Sequence, residues 1–115
     1  MNQKKILFFF ALLSVFAFAG KSEAANIYVD QTLAANCTSG NYSTAARNCG
    51  GSDGDAYVNV QAALDAMAGG DDIYLRGGTY ASSGDGRETF EIKADGTADD
   101  YSSIQSYPGE WARIQ

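Results

Sequence analysis

The stretch "GGDDIYLRGGTY", residues 69–80, sets a short apolar strand between two pairs of glycines. Ile73 and Leu75 alternate with Asp72, Tyr74 and Arg76, and this period of two predicts a β-strand with one buried face. The flanking glycine pairs predict a sharp turn at each end, because glycine lacks the Cβ that restricts other residues. A fold of short strands joined by tight corners is therefore expected.

The residues before this strand predict a helix. In "AYVNVQAALDAMAGG", residues 56–70, Val60, Leu64 and Met67 recur at helical spacing, with Ala63 on the same face. The pattern indicates an amphipathic helix of about three turns, ended by the glycines at 69–70 acting as C-cap residues. Its apolar stripe is typical of a face that packs against a core.

Other segments of the chain alternate with a period of two. "NIYVD" at 26–30 puts Ile27 and Val29 on one face. "ETFEIKADGT" at 88–97 does the same with Phe90 and Ile92, and "SSIQSYPGEWARIQ" at 102–115 adds Ile104, Ala112 and Ile114. Short strands at steady intervals after one helix are typical of a small sandwich or of a solenoid, and periodicity alone does not decide between them.

The first 24 residues have the layout of a secretory signal peptide. A lysine pair precedes an unbroken apolar run from Ile6 to Ala19, and small residues follow it. This run is shorter than the roughly 20 residues that span a bilayer. We expect cleavage before Ala25, with the A-x-A at 17–19 as an alternative, and a product that is secreted, periplasmic or on the cell surface, without a membrane anchor.

The exported part is acidic. From Ala25 onward five basic residues face thirteen acidic ones, a net charge of −8, and the chain has no histidine. Such a surface repels nucleic acid and anionic lipid, so neither is expected as a partner. The two cysteines, Cys37 and Cys49, flank a small polar loop without helical period, and an oxidising compartment favours a disulfide between them.

Five segments follow one another in a distinctive order over almost all of residues 26–115. They are "NIYVD", "GSDGD" (51–55), "VQAALDAMAGGDDIYLRGGTY" (60–80), "IKADGT" (92–97) and "SYPGEWARI" (106–114). In this order they resemble the N-terminal end of secreted right-handed parallel β-helix proteins, the pectate-lyase-like superfamily. The resemblance implies a mainly β solenoid in which residues 25–70 form the strand, disulfide loop and helix of a cap, and residues 71–115 form the first coils. Because the sequence stops at Gln115 without a second cap, we expect a truncated product or N-terminal fragment, with a free-standing disulfide-linked β domain as the lesser alternative.

The resemblance also implies the conformation of the first corner. Gly77 and Gly78 are expected at a turn that needs positive φ. Asp71 and Asp72 are expected to accept backbone hydrogen bonds there. "SDGD", residues 52–55, has the oxygen-rich composition of a calcium loop but lacks the spacing of an EF-hand, so a plain turn is the preferred interpretation.

The resemblance specifies the fold more closely than it specifies the function, because one fold serves many functions. We expect the whole protein to be an exported enzyme that degrades an acidic polysaccharide, of the uronate lyase type, with its active centre on later coils. The alternative is a non-catalytic surface or adhesive β-helix that binds carbohydrate. No cofactor is expected in this chain, whereas calcium is compatible with a lyase activity of the whole protein. This chain alone is expected to be inactive.

Candidate functional residues are few. The basic groups that a lyase would need, Arg76, Arg87, Lys93 and Arg113, do not recur with acids at coil spacing and are expected on outward, solvated faces. No catalytic residue is therefore assigned. Tyr74 and Trp111 point away from the apolar positions beside them. An outward aromatic on a solenoid either binds carbohydrate or covers a loop, so these two residues are the candidates for stacking on sugar rings, with loop cover as the alternative.

Overall fold

The computed structural model describes residues 23–81 and 90–115. The predicted signal peptide, apart from its last two residues, lies outside them. The fold is mainly β, with one short helix. Its elements are β1 (Asn26–Val29), β2 (Asp55–Tyr57), α1 (Val60–Ala66), β3 (Asp72–Leu75), β4 (Gly78–Tyr80), β5 (Ser103–Ser106) and β6 (Ala112–Ile114).

All strand pairs between these elements are parallel. Four strands form one sheet in the order β2-β1-β3-β5, and β4 pairs with β6 in a second sheet. The register aligns Ile27, Ile73 and Ile104 in one row of the first sheet, while Tyr80 stands opposite Ile114 in the second. We call the successive strands β3 and β4 the inner strand pair and the next two strands, β5 and β6, the outer strand pair. The hydrogen bonds run between these pairs, from β3 to β5 in the first sheet and from β4 to β6 in the second.

The first core lies between the large sheet and the helix. Val60, Ala63, Leu64 and Met67 are buried there, as their spacing predicts. They meet the inward residues of the strands, including Ile27, Val29, Ile73, Leu75 and Tyr80. Burial of these aliphatic side chains stabilises the fold by roughly 25 cal/mol for each Å² removed from water.

A second core covers the opposite face of the same sheet. Its buried members are Tyr28, Leu33, Cys37, Tyr42 and Ala56. The predicted disulfide between Cys37 and Cys49 is confirmed, with the two Cα atoms 5.3 Å apart. The backbone of Cys37 also exchanges two hydrogen bonds with Ala56 of β2, at 2.8 and 2.9 Å. The disulfide loop therefore covers the outer edge of β2.

The helix is shorter than its sequence pattern predicts. It has seven residues, about two turns, and its C-cap is Met67 in extended conformation, so the expected C-cap role of the glycines at 69–70 is wrong. They instead form the turn that leads into β3. Gly70 has φ +89°, and the Asp71 N–H donates to the Ala68 carbonyl at 3.2 Å.

Asp71 accepts backbone hydrogen bonds as expected, but at the turn before β3 and not at the corner of Gly77 and Gly78. Its carboxylate accepts hydrogen bonds from the backbone N–H groups of Ala25 and Ala68, both at 2.8 Å. Asp72 does not repeat this pattern, because its carboxylate accepts from the Ser103 hydroxyl rather than from backbone. Asp71 thus ties the start of β1 to the turn, and Asp72 ties β3 to β5.

The strand predicted around Phe90 and Ile92 does not form. Phe90 packs against the first core, but Ile92 is 60% exposed. The backbone of Glu91 pairs with the side-chain amide of Gln61 on the helix, donating at 3.0 Å and accepting at 3.1 Å. The segment is therefore held by a helix side chain where a sheet ladder was expected.

Gly77 and Gly78, at the corner before β4, allow a matched test of the need for positive φ. Of the two glycines at this corner, Gly78 has positive φ, +145°, and Gly77 does not, so the expectation of positive φ at Gly77 is wrong. A Cβ on Gly77 would meet its neighbours at ordinary distances of 3.5 Å or more. We expect Gly78→Ala to lower the free energy of unfolding by about 1–2 kcal/mol, and Gly77→Ala to have a smaller effect. Denaturant titration of both variants measures this, and equal losses would contradict it.

Candidate functional site

The two predicted sugar-stacking residues lie in different environments. Trp111 is 93% exposed, in the turn of residues 107–111 between β5 and β6. Tyr74 is half-buried against the second core. Its ring stacks on Tyr28 with centroids 5.8 Å apart and meets the edge of Tyr107 at 6.4 Å. Trp111 therefore presents a free ring face, whereas Tyr74 is engaged with other tyrosines.

Most of the large hydrophobic side chains that are exposed in the described residues lie between residues 101 and 114. Five such side chains are exposed, and four of them lie in this segment. These four are Tyr101, Ile104, Trp111 and Ile114, of which Ile104 lies on β5 and Ile114 on β6. The segment therefore offers apolar side chains for contact with a ligand.

An acidic groove flanks the start of β5. It encloses about 450 Å³ and is lined by Ala24, Gly70, Asp72, Asp99, Asp100, Tyr101, Ser103 and Gln105. Its three carboxylates favour neutral or cationic groups over an anionic sugar. Within residues 23–81 and 90–115, no group of three or more cysteines and carboxylates is arranged to hold a metal ion.

Within the described residues, Asp30, Tyr42, Arg47, Arg76 and Glu110 form a charged cluster. Asp30, Tyr42 and Arg76 are buried, and Arg47 and Glu110 are partly exposed. Arg76 is 5% exposed, so the expectation that it is solvated is wrong. Its guanidinium donates to Glu110, with the shortest bond at 2.6 Å, and to the Tyr42 hydroxyl at 2.9 Å. Its guanidinium carbon also lies 4.3 Å from the centre of the Tyr107 ring.

Asp30 is the other end of this charged cluster and is fully buried. The Tyr42 hydroxyl donates to it at 2.7 Å, and Arg47 donates through two nitrogens at 2.9 and 2.6 Å. Thr32 adds bonds from its backbone N–H at 3.0 Å and its hydroxyl at 2.7 Å. The charged cluster therefore joins β1, the disulfide loop, β3 and the outer turn in one network.

The charged cluster shifts the protonation of its members. Burial raises the pKa of Asp30, but hydrogen bonds from Arg47, Thr32 and Tyr42 outweigh it and hold that pKa below its ordinary value. Burial, followed by the bond to Asp30, raises the pKa of Tyr42 to about 12. The hydrogen bond from Arg76 lowers the pKa of Glu110. Both carboxylates are thus charged and the phenol neutral at pH 7, which suits a structural role.

Of the other candidate bases, Lys93 and Arg113 lie apart from each other and from the charged cluster's carboxylates. Lys93 forms an exposed ion pair with Asp65 at 3.0 Å, and Arg113 is exposed on β6. Arg87 lies outside the described residues. In the loop considered for calcium, Asp53 accepts from the backbone and hydroxyl of Thr44 at 2.7 and 2.9 Å, as a turn carboxylate does.

Comparison with protein-family models, with curated proteins and with solved structures finds no match to this chain. The family that the sequence resembles therefore stays a proposal. Among the residues that the structure describes, none belongs to a helix with both the length and the apolar character needed to cross a membrane. The candidate site is thus defined by geometry alone: the exposed indole of Trp111, with exposed Ile104 and Ile114 on the outer strands, next to Glu110 of the charged cluster.

Proposed function

We propose that this chain is the N-terminal capping part of an exported right-handed parallel β-helix protein that acts on acidic polysaccharide. Residues 25–70 act as the cap, residues 71–115 as the first coils, and residues 1–24 as the signal for export. In this proposal the whole protein is a uronate polysaccharide lyase, and its active centre lies on coils outside this sequence.

The repeated order of the strands carries the proposal. β3 lies parallel to β5 in one sheet, and β4 lies parallel to β6 in the other. The outer strand pair is therefore stacked on the inner strand pair. Parallel strands need a crossover between them, and a chain that winds through the same two sheets on each turn supplies it. The isoleucine row of Ile27, Ile73 and Ile104 is the interior that such winding would stack.

Polysaccharide contact is assigned to Trp111. Its indole is exposed on the outer turn, and aromatic rings supply large apolar contact areas with little loss of side-chain freedom. Tyr74 contributes indirectly in this proposal. Its ring supports Tyr107, which lies beneath Arg76 and so helps to fix the turn that carries the indole.

A second function follows if the whole protein lacks catalysis. A surface or adhesive β-helix would use the same indole to hold carbohydrate without cleaving it. The dispersed basic residues favour this alternative for the present chain, since Lys93 is engaged in an exposed ion pair with Asp65 and Arg113 lies exposed on β6. Product formation by the whole protein separates the two functions.

The experiment tests binding and cleavage with the exported chain. We expect retention on insoluble pectate or alginate to fall at least several-fold in Trp111→Ala, because the exposed ring is lost. We expect Ile92→Ala, the matched exposed apolar control, to be retained as wild type. Neither protein should raise the absorbance of unsaturated uronate, with or without calcium.

Two results would overturn parts of this proposal. Equal retention of wild type and Trp111→Ala would remove the indole as the sugar contact. A rise in unsaturated-uronate absorbance that the wild-type chain alone produces would show that an active centre lies within these residues, contrary to its proposed location on other coils.

A further inference from the structure

We infer that Arg113 gives this chain its preference for acidic over neutral polysaccharide, by pairing with a uronate carboxylate next to the sugar ring that stacks on Trp111. The inference rests on the proposed function, in which Trp111 contacts polysaccharide, and adds the residue that recognises the charge of the sugar. We call the surface formed by Thr79, Trp111 and Arg113 the outward face of the second sheet.

Trp111 and Arg113 lie on the same side of the second sheet. The ladder between β4 and β6 includes Trp111, whose carbonyl accepts a hydrogen bond from the Gly78 N–H at 3.0 Å. Side chains alternate between the two faces of a strand, so residues two positions apart share a face and lie roughly 7 Å apart. Ala112, between them, packs against the first core. Trp111, which is 93% exposed, and Arg113, which is also exposed, therefore point outward together.

Stacking of one coil on another does not cover this outward face. β4 already has β6 paired along it, so its side chains show what stacking covers. Tyr80, which points into the first core, is 4% exposed, whereas Thr79 beside it stays exposed opposite Arg113. An outward side chain of β6 is therefore expected to stay accessible in a longer solenoid, as the outward side chain of β4 does here.

Arg113 differs from the other basic residues that the structure describes, because each of those contacts a carboxylate of the protein. Their ion pairs are Arg47–Asp30, Arg76–Glu110 and Lys93–Asp65. Among the carboxylates of residues 23–81 and 90–115, none forms an ion pair with Arg113. A guanidinium presents a planar fork of donors that matches a carboxylate, so Arg113 has the chemistry to bind one that a ligand supplies.

Glu110 lies beside the indole, but its charge is compensated. Arg76 donates to both of its oxygens, with the shortest bond at 2.6 Å, and the Gly77 N–H donates to it at 2.6 Å. The acidic groove, with its three carboxylates, flanks β5 of the other sheet. Among the described residues, the charge on the outward face is therefore that of Arg113, which favours an anionic ligand over a neutral one.

The test compares pectate with its fully methyl-esterified form, which keeps the sugar ring and removes the charge. The measurement is retention at physiological ionic strength, where exposed charges more than about 8 Å apart are largely screened. We expect Arg113→Gln to lower retention on pectate by about threefold to fivefold, the scale of one exposed ion pair. Its retention on the ester should equal that of wild type, because the fold and the indole are intact.

Two further variants make the comparison specific. Trp111→Ala should lose retention on both polymers, because stacking on the ring does not depend on the carboxyl charge. Lys93→Gln removes the same charge from a different surface and should be retained as wild type on both polymers. The pattern expected of Arg113→Gln, a loss on pectate alone, is therefore distinct from the patterns of both other variants.

Four results would overturn the role of Arg113. They are equal retention of wild type on the two polymers, equal retention of wild type and Arg113→Gln on pectate, an equal loss of Arg113→Gln on the ester, and a loss on pectate in Lys93→Gln as large as in Arg113→Gln. In each of these cases wild type still binds polysaccharide. Failure of the proposed function gives a different result, in which wild type is retained on neither polymer, and the role of Arg113 then fails with it.

Discussion

Replacing Asp30 with alanine should lower the free energy of unfolding by about 3–5 kcal/mol, the usual cost of removing one partner from a buried ion pair. The loss would leave the Tyr42 hydroxyl without its acceptor and Arg47 without its ion pair. Asp53→Ala is the matched control, because Asp53 also accepts two hydrogen bonds from a threonine but is exposed. Chemical denaturation of both variants measures the difference, and similar losses would show that burial of Asp30 is unimportant.

The acid limb of the stability curve gives a second measurement. Because the folded-state pKa of Asp30 is lowered from 3.8, its contribution is present above that pH and is lost as the pH falls through the folded-state value. Asp30→Asn, which cannot ionise, should therefore lose less stability than wild type between pH 5 and pH 2. An unchanged acid limb in this variant would contradict the assignment.

Removing the disulfide should cost about 3 kcal/mol, as the chain-entropy model gives for a loop of this size. Cys37→Ala with Cys49→Ala frees the loop that buries Tyr42 and closes the edge of β2. Denaturant titration compares this double variant with wild type. A reductant should destabilise wild type and leave the double variant unaffected.

Thiol labelling supplies an independent check on the protein folded under oxidising conditions. Cys37 and Cys49 should resist labelling until a reductant is added. Labelling of both cysteines in the folded, non-reduced protein would mean that the cross-link does not form.

Period-two alternation and cysteine usage predicted much of the fold from sequence. The strand at Ile27 and Val29, the buried helix face and the Cys37–Cys49 bridge are all confirmed. Each depends on local spacing or on a single pairing choice, which a sequence shows directly. The β-helix itself remains proposed, since two stacked strand pairs establish only parallel sheets.

The charged cluster was beyond prediction, because it joins residues far apart in sequence. Arg76 meets Glu110 and Tyr42, each 34 positions away, and no local pattern indicates such a meeting. One signal was present: Asp30 directly follows the apolar residues of β1, where a carboxylate is buried only when it is well paired. The prediction of a strand at Phe90 was wrong for a related reason. The backbone of Glu91 is hydrogen-bonded to the side-chain amide of Gln61 on the helix and not to another strand.

The closed edge of β2 limits where a strand of another molecule can add to the large sheet. The two hydrogen bonds between Cys37 and Ala56 use backbone groups at that edge. An unpaired strand edge is a template for aggregation, and the disulfide loop removes one such template from the sheet. Association of molecules by strand addition through β2 is therefore disfavoured.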